Sequence, residues 1–113
     1  MATQQATVDF LLDQTASAGE MSARKMFGEY ALYCDGKVVA LVCDDQLFVK
    51  ITEPGKDFVG ARYQEGFAYP GAKPSMHISE EMFDDHRWLG ELIRITFDAL
   101  PVPKPKKQKP RKG

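Results

Sequence analysis

"MFGEYALYCDGKVVALVCDDQLFVKI", Met26 to Ile51, carries apolar side chains at nearly every other position and two acidic two-residue breaks, Asp35-Gly36 and Asp44-Asp45. Period-two alternation marks strands with a buried face. Asp-Gly between two such runs is a strong hairpin signal, because a type I′ turn needs positive φ at both central residues; Asp44-Asp45 is a weaker instance. The stretch therefore reads as a three-stranded antiparallel meander. With two-residue loops at both breaks, Cys34 pairs with Lys37, Leu32 with Val39, Tyr30 with Leu41, Leu41 with Phe48, and Val39 with Lys50.

That register sorts the side chains onto two faces. One collects Phe27, Ala31, Tyr33, Val38, Ala40, Val42, Leu47, Val49 and Ile51, with Glu29 as its only charge, and is the expected core face. The other collects Tyr30, Leu32, Cys34, Val39, Leu41, Cys43 and Phe48, interrupted by Lys37, Gln46 and Lys50. Soluble monomers seldom expose contiguous apolar patches beyond a few hundred Å², so part of this second face must be covered by another helix of the chain or by a second copy. A bulge at Asp35-Gly36 would shift the register by one and swap the faces of the first strand.

Outward from the meander the pattern turns helical. Val8, Leu11, Leu12 and Thr15 recur at helical spacing between Thr3 and Ala18, with Gly19 as a stop and Phe10 on the opposite side of the wheel. Thr52 can cap a short helix from Glu53 to about Ala61, with Glu53 and Pro54 in its first turn. Phe67 to Tyr69 and Ser75 to Ile78 read as short strands, and Pro70-Gly71 between them suits the centre of a type II turn. From Asp84 to Ala99 a strongly amphipathic helix places Leu89, Leu92, Ile93, Thr96, Phe97 and Leu100 on one face, widened by Trp88 and Ile95, opposite Arg87, Glu91, Arg94 and Asp98. The fold class is α+β in two layers, an antiparallel sheet of about five strands packed with helices in the order α-β3-α-β2-α.

The 113 residues suffice for one domain, residues 1–100, followed by "PVPKPKKQKPRKG", a tail too poor in apolar groups to order itself. The formal charge of −1 hides an asymmetry: the tail holds six cations and no acid, leaving nine cations against sixteen acids in residues 1–100, a net of −7. No apolar run approaches the roughly 18 residues that span a bilayer, and no signal-like segment begins the chain, so the protein is expected to be soluble and cytoplasmic.

The ordered series "RKMFGEYALYCDGKVVALVCDDQLFVK" (Arg24 to Lys50), "YPGAKPSM" (Tyr69 to Met76) and "WLGELIRIT" (Trp88 to Thr96) resembles the N-terminal domain of the TfoX/Sxy family, bacterial regulators associated with natural competence. The family pattern has "FGGYG" where this chain has Glu29 and Ala31. The resemblance implies a two-layer fold similar to secretion chaperones. It also implies that full-length regulators carry a second, C-terminal domain and co-activate transcription with the cyclic-AMP receptor protein.

Groups that could carry chemistry are few. Cys34 and Cys43 fall on one face about 20 Å apart, beyond the roughly 7 Å that a disulfide allows, and read as buried free thiols. Together with His77 and His86 they form no close ligand pair, so no metal is expected. His77 is expected to point to solvent, and His86, in the first turn of the last helix, to be a surface or boundary group. "GAKPS" lacks the ending of a phosphate loop, and Glu80, Glu81, Asp84 and Asp85 read as a solvated helix entrance. No nucleophile with its base and no cofactor loop can be assembled from spacing.

The sequence thus points to a non-enzymatic regulatory or protein-interaction module without cofactor or small-molecule substrate. Its expected partner is a protein, itself as a homodimer or a transcription factor. Phe10, Tyr30, Leu32, Val39, Leu41 and Phe48 are the candidate contact surface. The alternative is a nucleic-acid-binding accessory protein using Lys104, Lys106, Lys107, Lys109, Arg111 and Lys112 of the tail, helped by Arg24, Lys25 and Lys50. Six phosphate contacts would give a log–log salt slope of about −5.

Overall fold

Four left-handed residues organise the sheet. In the computed structural model, which describes residues 4–26 and 29–100, Asp35 and Gly36 have φ of 48° and 88°, and Asp44 and Asp45 have φ of 54° and 60°. Both breaks are therefore two-residue hairpin turns, with Cys34 opposite Lys37 and Cys43 opposite Gln46. The strands they join are β2 (Glu29–Cys34), β3 (Lys37–Cys43) and β4 (Gln46–Val49).

A fourth strand precedes them. β1 (Met21–Met26) pairs with β2 along its whole length, from Met21 opposite Cys34 to Met26 opposite Glu29. It adds one strand to the expected three, because "MSARKM" has little intrinsic strand preference and is held by backbone pairing with its neighbour. β1 is an edge, and Arg24 and Lys25 on it suit that place, since charged side chains discourage further strand addition. On the far side β4 pairs with β6 (Ser75–Ile78), and β6 with the two-residue β5 (Glu65–Gly66), giving one antiparallel six-stranded sheet of order β1-β2-β3-β4-β6-β5. The expected strand at Phe67–Tyr69 lies two residues too late. Gly66 pairs with Ser75 where a Cβ would fall 3.1 Å from the Phe48 ring, so a glycine suits the pairing position and Phe67 and Tyr69 are left exposed. The type II turn is present: Ala72 N–H donates to the Tyr69 carbonyl at 3.0 Å, and Gly71 has φ 87°.

The register of β2 against β3 corrects the expected faces. Leu32 is opposite Ala40 but Tyr33 is opposite Val38, so a bulge in β3 adds one residue. Val39 and Ala40, consecutive in sequence, are both fully buried in the one core cluster. The core face accordingly carries Tyr30, Leu32, Cys34, Val39, Ala40, Val42, Leu47, Val49, Met76 and Ile78. Ala31, Tyr33 and Val38 turn to the opposite face. Phe27 lies outside the described residues.

All three helices cover that core face. α1 (Gln5–Gln14) contributes Val8 and Leu11, and the turn beyond it ends at Gly19, whose φ of 155° and ψ of −161° suit glycine. α2 (Glu53–Val59) starts at Thr52, whose hydroxyl accepts from Gly55 N–H at 3.0 Å, and contributes Val59. α3 (His86–Ala99) follows a 3₁₀ segment, Glu80–Asp84, and is capped by Asp85, whose carboxylate accepts from Trp88 N–H at 3.1 Å. Its Leu89, Leu92 and Ile93 are completely buried; each such side chain stabilises the fold by at most about 1.5–3 kcal/mol.

Candidate interaction surface

Strand parity sends every second residue away from the helices, and the pairing aligns these residues across five strands. Arg24 is opposite Ala31, Ala31 opposite Leu41, Leu41 opposite Phe48, and Phe48 opposite His77. Beside this row stand Tyr33 and its partner Val38. None of these residues belongs to the helix-covered cluster. The outer face is thus an apolar strip edged by cations and histidine, in which Ala31 and Phe48 are nearly buried and Tyr33, Val38 and Leu41 supply the accessible apolar part. Arg24 holds its guanidinium 5.8 Å from the Tyr33 ring, and Phe48 meets His77 at 5.3 Å between ring centroids.

The loop after β5 folds over one side of this face. Leu41, Phe48, Ile51, Tyr69, Pro74 and Leu100 form most of an open groove of about 560 Å³, whose charged lining residues among those described are Lys50 and Lys73. Tyr69 stands more than half exposed at its lip. A second cleft, of about 410 Å³, lies in the helix layer between α1 and the 3₁₀ segment, lined by Phe10, Phe83, Asp45, Glu80 and Asp84.

Against this geometry the candidate contact residues separate. Leu41 and Phe48 are on the outer face, Leu41 half-buried and Phe48 only 6% exposed. Tyr30, Leu32 and Val39 are core: the bulge turns them under the helices of their own chain, and only the Tyr30 hydroxyl reaches the rim, donating to Gln5 Oε1 at 2.7 Å. Phe10 is 41% exposed on the helix layer, apart from the sheet's outer face. Of the candidate nucleic-acid contacts, Arg24 and Lys50 share the outer face, whereas Lys25, paired with Tyr30, points to the opposite side. Lys104, Lys106, Lys107, Lys109, Arg111 and Lys112 lie outside the described residues.

Sequence reasoning missed Tyr33, Val38, His77, Tyr69 and Lys73 as members of this surface. For the first two the available signal was the alternative of a bulge; its place is Val39–Ala40 rather than Asp35-Gly36. His77 is half-buried against Phe48 instead of pointing freely to solvent, because β6 lies inside the sheet and aligns it with that ring.

The groups available for chemistry are quiet. Cys34 and Cys43 are both free and buried, but on opposite faces, since the bulge separates the parity of β2 from that of β3. Burial, reinforced by Glu29 and Asp44, pushes the Cys43 thiol up to about 11; burial and Asp35 also raise Cys34. Neither is an activated nucleophile near neutral pH. Among the described residues no three His, Cys, Asp or Glu side chains converge on a metal position. Tyr63 is pushed up to about 12 by donating its hydroxyl to Glu65 at 2.7 Å, which also removes it as an acid near neutrality. No described helix is long and apolar enough to cross a membrane.

The chain is a two-layer α+β domain with helices on one side of an antiparallel sheet and a largely apolar outer face on the other. The chain belongs to the TfoX N-terminal domain family, whose model matches residues 13–100. It is 38% identical over 109 residues to an uncharacterized 12.7 kDa protein in the trpE 5′ region of Spirochaeta aurantia, the match covering 96% of this chain and 93% of that one.

Proposed function

We propose that the chain is a non-enzymatic regulatory module that binds a partner protein through the outer face of its sheet. Family membership supports the class, since the TfoX N-terminal domain defines a family of regulator modules and not of enzymes. The observation that carries the reading is the row Arg24–Ala31–Leu41–Phe48–His77 with its neighbours Tyr33 and Val38, a mostly apolar strip facing away from every described helix. Contiguous apolar surface rimmed by polar groups is characteristic of protein contacts. Competence or transcription is the regulated process that the family suggests.

The nucleic-acid reading draws on Arg24, Lys50 and the tail cations. It is opposed by the net −7 of residues 1–100, because phosphate binding needs a broad positive footprint. Capture from nuclease-treated cell extract separates the two. The wild-type chain and Arg87→Glu, altered on the exposed side of α3, retain a protein partner; Leu41→Glu loses it while melting at the same temperature. Equal capture by Leu41→Glu would remove the sheet-face reading, and capture that disappears with nuclease would replace it with nucleic acid. Sedimentation equilibrium of the purified chain, with Leu41→Glu alongside, tells a second copy from a different protein.

A further inference from the structure

The groove between the sheet and the Tyr69–Ser75 loop carries a local charge opposite to that of the body. Its charged lining among the described residues is Lys50 and Lys73 with no acid, in a chain whose first 100 residues sum to −7. Both lysines are exposed, and neither ammonium makes an ion pair with a described residue. Most other cations are already engaged. Lys37 binds the end of α3, Arg94 pairs with Asp98, Arg62 pairs with Glu81, Lys56 lies over Tyr63, and Arg24 over Tyr33. Lys50 and Lys73 instead flank an apolar floor of Leu41, Phe48 and Ile51 with Tyr69 at the lip.

Resting on the interaction reading above, we infer that this groove takes an acidic peptide segment of the partner, one in which a bulky apolar side chain is bracketed by carboxylates. The apolar group fills the floor, where burial supplies affinity; the carboxylates meet Lys50 and Lys73 at the rim, where charge supplies selectivity and on-rate. A polyanion is the poorer match. A nucleic acid extends well beyond two lysines and meets the acidic body over more than the Debye length of about 8 Å, whereas a short acidic segment stays within the field of the groove.

The test is fluorescence anisotropy with the full chain. The probe is a short fluorescein-labelled peptide with a central Phe-Leu pair flanked by Asp and Glu. Its controls are the same peptide with Asn and Gln for the acids, the same peptide with Ser for Phe-Leu, and a single-stranded oligothymidylate. The acidic peptide binds, both altered peptides bind at least about tenfold more weakly, and Lys50→Glu and Lys73→Glu each weaken it about five- to tenfold and reduce its salt dependence. Binding that survives both substitutions belongs to the tail cations and overturns the inference, as does equal binding of the neutral peptide or tighter binding of the oligonucleotide. If the acidic peptide fails while Leu41→Glu still abolishes partner capture, the sheet face remains an interaction surface and only the acidic specificity falls. If both fail, both fall.

Discussion

Lys37 shows how a single side chain ties the layers together. It stands in the first position of β3, only 9% exposed, and its ammonium donates to the Phe97 carbonyl at 2.9 Å and the Leu100 carbonyl at 2.7 Å. Those carbonyls are at the C-terminal end of α3, where the unsatisfied acceptors and the negative end of the helix dipole favour a cation. The same ammonium lies 4.2 Å from the centre of the Phe97 ring. Replacing it by Met keeps the packing of the stem and removes the donors. Lys37→Met is expected to lower unfolding free energy by about 1.5–3 kcal/mol, the range for hydrogen bonds to charged groups, read as a lower urea midpoint at unchanged m-value. An unchanged midpoint would show that water satisfies the helix end equally well.

At the scale of elements, Lys37 also accounts for the bulge. Its side chain and that of Cys34 must both face the helices, and so must Ala40 and Val42; an odd step from 37 to 40 satisfies this only if two consecutive residues, Val39 and Ala40, share a face. The constraint comes from the far end of α3, some 60 residues away in sequence, so local alternation could not reveal it. The turns, by contrast, were readable because their backbone demands are local: Asp-Gly and Asp-Asp mark positions where φ must be positive. The three helices were readable too, from the spacing of Val8 and Leu11, the cap at Thr52, and the apolar stripe of α3. β1 was not, because Ser22, Ala23, Arg24 and Lys25 acquire extended structure from β2 and not from their own preference. The proposed interaction surface shared the fate of the bulge, which exchanged Tyr30, Leu32 and Val39 for Tyr33 and Val38.

The Asp44-Asp45 turn is a testable element in its own right. Two non-glycine residues hold left-handed conformations there, at a cost of roughly 1–2 kcal/mol each. Asp44 N–H donates to Glu29 Oε1 at 3.0 Å, and the Asp45 carboxylate accepts from Gln4 N–H at 2.9 Å, so the turn is fastened to β2 and to the start of α1. Asn tolerates this conformation well and removes one charge from a crowded acidic corner. Asp44→Asn should therefore stabilise the fold by about 0.5–1 kcal/mol, seen as a rise in melting temperature; a fall would mean that the Asp44 carboxylate itself holds the turn.

For the whole molecule, the division of labour between the two sheet faces is the central point. Helices cover one face and bury it from β2 to β6, while the other keeps Leu41, Tyr33 and Val38 half-exposed beside a lysine-rimmed groove. On the proposed function, regulation by this domain is a matter of occupancy, of which surface meets which partner. Site-specific photo-crosslinking in cells reads this directly, with a benzophenone amino acid placed at position 41 on the outer face and, separately, at position 87 on the exposed side of α3. A discrete protein adduct from position 41 and none from position 87 is the expected result. Adducts from position 87 alone, or none from position 41, would contradict the assignment of the outer sheet face as the working surface.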